Sequence, residues 1–259
     1  MNDSAMVDSM VKDGLWCAMN DYHMGITAEN IARNYNISRQ QQDEFAALSQ
    51  QKTAKAIANG EFADEIVPVA VKKRKETIDF KTDEHARAGT TVDVLSKLRP
   101  AFEKDGTVTA GNASGITDGA AALMLASENF INNNNITPIA KFAGFASVGV
   151  DPAIMGIGPS AAISKILKKT GTKLADIDIF ELNEAFAAQS IAVLKETGID
   201  PEKVNVNGGA IALGHPIGAS GARILVTLLG AMKKRNLKTG LASLCIGGGM
   251  GMASILTKS

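Results

Sequence analysis

Three short stretches of this chain hold the residue types that move protons and stabilise negative charge on oxygen. The first is Cys245-Ile246-Gly247-Gly248-Gly249-Met250-Gly251, where a thiol ends an apolar run and glycines follow at once. Backbone N–H groups that no side chain obstructs can point at a developing oxyanion, and a thiol beside an imidazole can carry a proton. The second is the glycine-rich stretch 207–221, in which His215 stands between Gly214 and Pro216 on a tightly turning backbone. A core histidine and a working imidazole both fit that setting. The third is Asn183-Glu184-Ala185-Phe186, directly after the apolar run DIDIFEL. Asn183 there reads either as a helix N-cap or as an amide donor at the end of a strand. The glycines of 214–221 lack the G-x-G-x-x-G spacing of a dinucleotide fingerprint, and no ligand pairs occur at zinc spacing, so neither a nucleotide cofactor nor a metal is expected.

The elements that must position these residues alternate along the second half. KFAGFASVGV reads as a strand, SAAISKILKKTG as a helix, DIDIFEL as a strand and EAFAAQSIAVLKETG as a helix. VNVNGG reads as a strand, SGARILVTLLGAMKKR as a helix, and GLASLCI and MASIL as closing strands joined by a glycine turn. This is an α/β pattern, with its chemistry-bearing residues at the ends of strands, where open sheets place their sites. The first half is more polar. Ser38-Arg39-Gln40-Gln41 predicts a capping box, with a helix closing at Asn59-Gly60. EIVPVAVK (65–72) predicts a short edge strand, because Pro68 cannot donate to a ladder. The basic run Lys72-Lys73-Arg74-Lys75 reads as a solvated face. Asn132 to Asn135 reads as a linker or surface loop. Cys17, in GLWCAMN, reads as a small apolar residue on a helix.

Composition closes off other classes. Lys+Arg and Asp+Glu both total 27, so no net field draws the chain to nucleic acid or a membrane surface. Two cysteines are too few for a stapled secreted fold, and the N-terminus MNDSAMVDSMVKDG has no basic region followed by an apolar core. Gly240 to Thr257 is uncharged, but its grouped glycines favour two buried strands over a membrane span. A cytoplasmic protein is the expectation. Of the 25 glycines, eleven fall in the last 54 positions, which marks the C-terminal region as the place needing close backbone approach.

Seven motifs together resemble the thiolase family, and the resemblance is nearest to its biosynthetic acetyl-CoA acetyltransferases. They are Tyr22-His23-Met24-Gly25-Ile26-Thr27-Ala28-Glu29-Asn30, Asp83-Glu84-His85-Ala86-Arg87, Leu98-Arg99-Pro100-Ala101-Phe102 and Thr109-Ala110-Gly111-Asn112-Ala113-Ser114-Gly115, then NEAFAAQ at 183–189, GGAIALGHPIGASGAR at 208–223 and CIGGGMG at 245–251. The resemblance implies an αβαβα layered fold, represented here by a loop domain (1–115), a segment returning to an N-terminal half (116–137) and a C-terminal domain (138–259). It implies Claisen condensation of two acetyl-CoA to acetoacetyl-CoA and CoA, and the thiolytic reverse, with the CoA thioester as substrate and no cofactor. By the same resemblance Cys245 is the general acid/base for the α-proton, and His215 polarises the nucleophile and binds the thioester oxygen. Asn183 holds a water in that oxyanion hole, and the Gly247 N–H serves a second one. His23, Met24 and Ser114 match the family's pantetheine positions, and Arg87 lies towards the nucleotide.

One departure shapes the expectation. The family's acyl-accepting cysteine lies in an N-x-x-C-x-S-G motif, and these 259 residues contain none. Most of the N-terminal thiolase half is expected to be lacking, with the nucleophile supplied by that half in trans and the chain associating as a homo-oligomer. The alternative is a non-catalytic remnant that binds CoA or oligomerises. A ketoacyl-synthase-like enzyme fits worse, because those enzymes lack the CIGGGMG cysteine.

Overall fold

The computed structural model describes residues 3–74 and 76–259. Met1 and Asn2 of the N-terminal stretch, and Lys75 of the basic run, lie outside the described residues.

Strands β1 (Trp16–Cys17) and β2 (Tyr22–His23) pair antiparallel and lead into helix α1 (Met24–Asn34). Cys17 is therefore on a strand, not a helix. The chain turns back through Asp21 at φ 55° and pairs Cys17 with Tyr22, so no helical periodicity can develop there. Helix α2 (Arg39–Ala58) starts on the predicted capping box: Ser38 Oγ accepts from the Gln41 N–H and Gln41 Oε1 from the Ser38 N–H. It ends at Asn59, ahead of Gly60. Strands β3 (Val69–Lys73) and β4 (Glu76–Phe80) form an exposed antiparallel ribbon. The strand expected over 65–72 begins after Pro68 rather than running through it, since a proline in the ladder would cost a hydrogen bond. Short helices α3 (Val92–Ser96) and α4 (Glu128–Asn133) complete this half.

The second half follows as β5 (Ala140–Gly149), α5 (Gly158–Thr170), β6 (Ile179–Leu182), α6 (Ala187–Thr197), α7 (Ala210–Leu213), α8 (Ser220–Arg235), β7 (Thr239–Ile246) and β8 (Met250–Lys258). Its strands make one mixed sheet in the order β5-β8-β7-β6, with β6 parallel to β7 and the other pairs antiparallel. Two expectations change here. Residues 204–209 do not form a strand: Val204 makes a single bridge to Phe180, and Asn205 turns into the left-handed region at φ 44°. The Asn205 side chain takes over the pairing, accepting from the Leu182 N–H and donating to the Leu182 carbonyl, both at 2.8 Å. Asn183 is not a helix cap, because α6 begins only at Ala187, with Phe186 before it.

Alternation along the strands sorts residues to the two faces of the sheet. Phe180, Leu182, Leu241, Ala253 and Ile255 pack with α5 and α6 through Ile163, Ile166 and Val193. Ile179, Ala242 and Leu256 face Ile224, Leu228 and Met232 of α8. Glu181 shares that second face, with Arg223 Nη1 3.9 Å away. Burial pushes the Glu181 carboxyl up to about 8, against the opposing pull of Arg223. The sheet thus carries helices on both sides, and its parallel strands β6 and β7 end on the same side of it, with Asn183 directly after β6 and Cys245 one residue before the end of β7. Among the described residues no helix is long and apolar enough to cross a membrane.

Candidate active site

Asn183 is placed by the sheet. Its N–H extends the parallel ladder of β6 by donating to the Ser243 carbonyl at 3.0 Å, two residues before Cys245. The side chain is 1% exposed, and its Nδ2 lies 3.3 Å from His215 Nε2. Asn183 Oδ1 is buried and has no hydrogen-bond partner among the described residues. The structure therefore favours the second of the two roles open to Asn183, a buried amide aimed at a histidine.

His215 is fixed at both ring nitrogens and at its backbone. Its N–H donates to the Gly115 carbonyl at 2.9 Å, which ties the His215 loop to the Ser114-Gly115 segment. Its Nδ1 lies 2.5 Å from Ser220 Oγ, which is also 2.9 Å from the Pro216 carbonyl. A serine has one hydroxyl proton. When it goes to Pro216, Nδ1–H donates to Ser220 and Nε2 accepts from the Asn183 amide. When it turns onto Nδ1, the ring proton moves to Nε2, where it can be donated to a substrate oxygen. Burial lowers the His215 pKa to about 4, with the Arg223 charge acting the same way, so the ring is neutral at pH 7 and the choice between its two nitrogens matters. In the sequence Ser220 is one residue of the glycine-rich stretch 207–221. A serine five residues after a histidine, across a proline-containing turn, was the available signal.

Replacing Ser220 by alanine removes the partner of Nδ1 and leaves a buried polar nitrogen unpaired, a cost of roughly 1–3 kcal/mol. The expected result is a His215 with mixed tautomers, read as a change in its imidazole 15N shifts. An unchanged 15N pattern in folded Ser220→Ala protein would remove Ser220 from this role.

Cys245 is the penultimate residue of β7, is 7% exposed and lies in an apolar cluster with Met24, Met155, Ala185 and Phe186. Burial pushes its thiol up to about 12, a backbone hydrogen bond opposing weakly, so it rests as the neutral thiol. The glycines after it are required by the turn. Gly249 has φ 84°, and a side chain there would strike the Val150 carbonyl oxygen at 2.3 Å; that segment is already tied to it, the Val150 N–H donating to the Gly249 carbonyl at 2.7 Å. Gly247 is brought against Met24, whose Cε would lie 2.9 Å from a Cβ at that position.

His23, Ser114 and Arg87 are each held by hydrogen bonds. His23 caps α1, its Nδ1 accepting from the Gly25 N–H at 3.0 Å, and its ring stacks on Phe102 at 4.7 Å between centroids. Phe102 meets Phe186 edge-on at 6.1 Å, which joins this wall to the NEAF segment. Ser114 donates both its N–H and its hydroxyl to the Ala185 carbonyl, each at 3.0 Å. Arg87 is held by its backbone: its N–H donates to Gln50 Oε1 at 2.8 Å, and Gln50 reaches the Ile211 carbonyl through Nε2. His85 packs on Gly115, where an added Cβ would lie 2.1 Å from the imidazole Cε1. Sequence reasoning gave no role to Phe102, His85 or Ala185, although all three fall in the quoted motifs. Among the described residues no group of three or more His, Cys, Asp or Glu side chains is arranged to hold a metal ion.

Comparison with known proteins gives the family of the chain. Residues 1–129 match the family model of the thiolase N-terminal domain and residues 136–258 that of the thiolase C-terminal domain. The chain is 59% identical over 259 residues to the acetyl-CoA acetyltransferase of Pseudomonas aeruginosa, covering all of this chain and 66% of that protein. The crystal structure of the Bacillus anthracis acetyl-CoA acetyltransferase superposes with a TM-score of 0.97 at 47% identity, covering 100% of this chain and 66% of that one. The human mitochondrial 3-ketoacyl-CoA thiolase in complex with CoA gives a TM-score of 0.95 at 47% identity, with 100% and 64% covered. The chain thus spans about two thirds of the length of the relatives it matches. With both domain models matched in order and the fold shared, this chain belongs to the thiolase family.

Proposed function

We propose that this chain carries the acid/base and oxyanion groups of an acetyl-CoA C-acetyltransferase, which condenses two acetyl-CoA to acetoacetyl-CoA and CoA and runs the thiolytic reverse. The observation that carries the reading is the convergence of Asn183 and Cys245 at one sheet edge, with His215 hydrogen-bonded to Asn183. When the second cysteine takes up the first acetyl group, the departing CoA thiolate receives the Cys245 proton and leaves as CoA; the Cys245 thiolate then takes a proton from the methyl group of the second acetyl-CoA. The resulting carbon attacks the acetyl thioester held on the second cysteine, whose sulfur leaves as thiolate, and Cys245 is again the neutral thiol. His215 Nε2–H and a water on Asn183 Oδ1 stabilise one thioester oxygen, and the Gly247 N–H serves the other. The burial that keeps Cys245 protonated at rest also makes its thiolate strongly basic, as abstraction from carbon requires.

His23, Met24 and Ser114 contact the pantetheine arm and Arg87 the nucleotide; a related thiolase has been crystallised with CoA. The acyl-accepting cysteine belongs to an N-x-x-C-x-S-G segment of an N-terminal thiolase half, acting in trans within an oligomer. Mixing this chain with such a segment and following acetoacetyl-CoA cleavage tests the reading, with calorimetry against CoA alongside. Cleavage that depends on both components is expected. CoA binding with no cleavage in a verified complex would instead favour a binding remnant and overturn the enzymatic reading.

A further inference from the structure

We infer that Glu184 is a positioning residue: its buried carboxylate fixes Asn183 by chain adjacency and His215 through the N–H of Ile211, and so sets the distance between them. The inference deepens the functional reading above and rests on it for the importance of that pair. Glu184 is 2% exposed. Three segments donate to it and none accepts from it: Ser49 Oγ of α2 at 2.7 Å, Asn205 Nδ2 at 2.9 Å, and the Ile211 N–H of α7 at 3.2 Å. No Lys or Arg of the described residues stands within ion-pair distance of it. Gly209 completes the fit, because a Cβ there would lie 2.2 Å from the Glu184 carboxyl carbon. Its N–H donates to the same Ser49 Oγ at 3.2 Å. Helix α7 is thereby drawn onto the carboxylate, and α7 runs through Gly214 directly into His215.

The donors leave no room for an amide. Ser49 and Ile211 address one oxygen and Asn205 the other. A glutamine that keeps its oxygen towards Ser49 and Ile211 would aim its NH2 at the NH2 of Asn205. Asn205 cannot turn to receive it, since both ends of its amide already hold Leu182. The opposite rotamer sets the NH2 against the Ile211 N–H. Either way a buried donor loses its acceptor.

Glu184→Gln in the full chain, with the three histidine imidazoles followed by 15N-resolved NMR titration, tests this. His215→Asn identifies the His215 signal. Loosening α7 admits water to His215 and relieves the burial that holds its proton affinity down, so its midpoint should rise from about 4 by roughly one pH unit or more. His23, which caps α1 away from α7, should keep its midpoint, whereas His85, hydrogen-bonded to the Ile211 backbone, can move with α7. A folded Glu184→Gln protein with an unmoved His215 would overturn the inference. If that variant does not fold, Ser49→Ala removes only the shortest donor; a smaller upward shift of His215 with His23 unmoved supports the inference and no shift of His215 overturns it. The titration needs no turnover, so the His215 shift can stand even where the condensation assay fails.

Discussion

Replacing Cys245 with alanine is expected to lower exchange of the acetyl-CoA methyl protons by about 10²–10⁴-fold in the complex with an N-terminal thiolase segment, while CoA affinity stays within about twofold. The effect is confined to chemistry for a structural reason. Cys245 sits in an apolar cluster with Met24 and Phe186, and alanine keeps an apolar side chain at the end of β7. The turn at Gly248 and Gly249, both at positive φ, is set by backbone and remains. What disappears is the thiol that the proposed mechanism uses to take a proton from carbon. The unusual proton affinity of the thiol, pushed up to about 12 by burial, gives a second signature. Alkylation of Cys245 by iodoacetamide should be slow at pH 8 and accelerate towards pH 11, because the thiolate is the reactive form and its population rises tenfold per pH unit below the pKa. Retained proton exchange in a correctly folded Cys245→Ala complex would remove Cys245 from its assigned role.

Much of this architecture was legible because local and global signals agree. The run GLASLCI is apolar on both faces and becomes β7, whose neighbours cover it on both sides, and the glycines after it predict the turn into β8. Ser38 with Gln41 predicts a capping box and forms one. The failures are equally specific. VNVNGG has strand composition, yet Asn205 leaves the extended region because its own amide satisfies Leu182 and Glu184 better than a ladder would. Cys17 was misplaced on a helix because the turn at Asp21 depends on a positive-φ residue that composition does not reveal. The motifs located Asn183, His215 and Cys245 but not what holds them. Ser220 and Glu184 act through hydrogen bonds between segments 5 to 135 residues apart. Such partners are set by the three-dimensional path of the chain. Glu181 shows the same limit: within DIDIFEL it resembles a strand-end polar residue, and only the placement of α8 buries it opposite Arg223.

Phe180→Ala is expected to destabilise the protein by about 3–5 kcal/mol, the range for deleting a fully buried aromatic side chain. Phe180 is 1% exposed at the centre of the cluster that joins the sheet to α5 and α6. Removing it costs the transfer of the ring from water and leaves a cavity beside Ile166, Val193 and Leu241, on elements that are themselves held in place by the sheet. The loss is a fifth or more of the 5–15 kcal/mol that holds a typical domain together. It should appear as a clear fall in the urea midpoint with little change in slope. Val67→Ala is the matched control, since Val67 is 80% exposed and its truncation should stay within about 0.5 kcal/mol. The consequence reaches the site as well. Phe180 and Asn183 share β6 and its continuation; the Asn205 N–H donates to the Phe180 carbonyl at 2.9 Å, and Asn205 in turn holds Glu184. A sagging β6 therefore displaces the Asn183–His215 pair before the chain unfolds. At urea concentrations well below the Phe180→Ala midpoint, the His215 imidazole should already titrate closer to the usual histidine value than in the unsubstituted protein. Equal midpoints for Phe180→Ala and Val67→Ala would show that the packing of β6 against α5 and α6 is not what holds this half together.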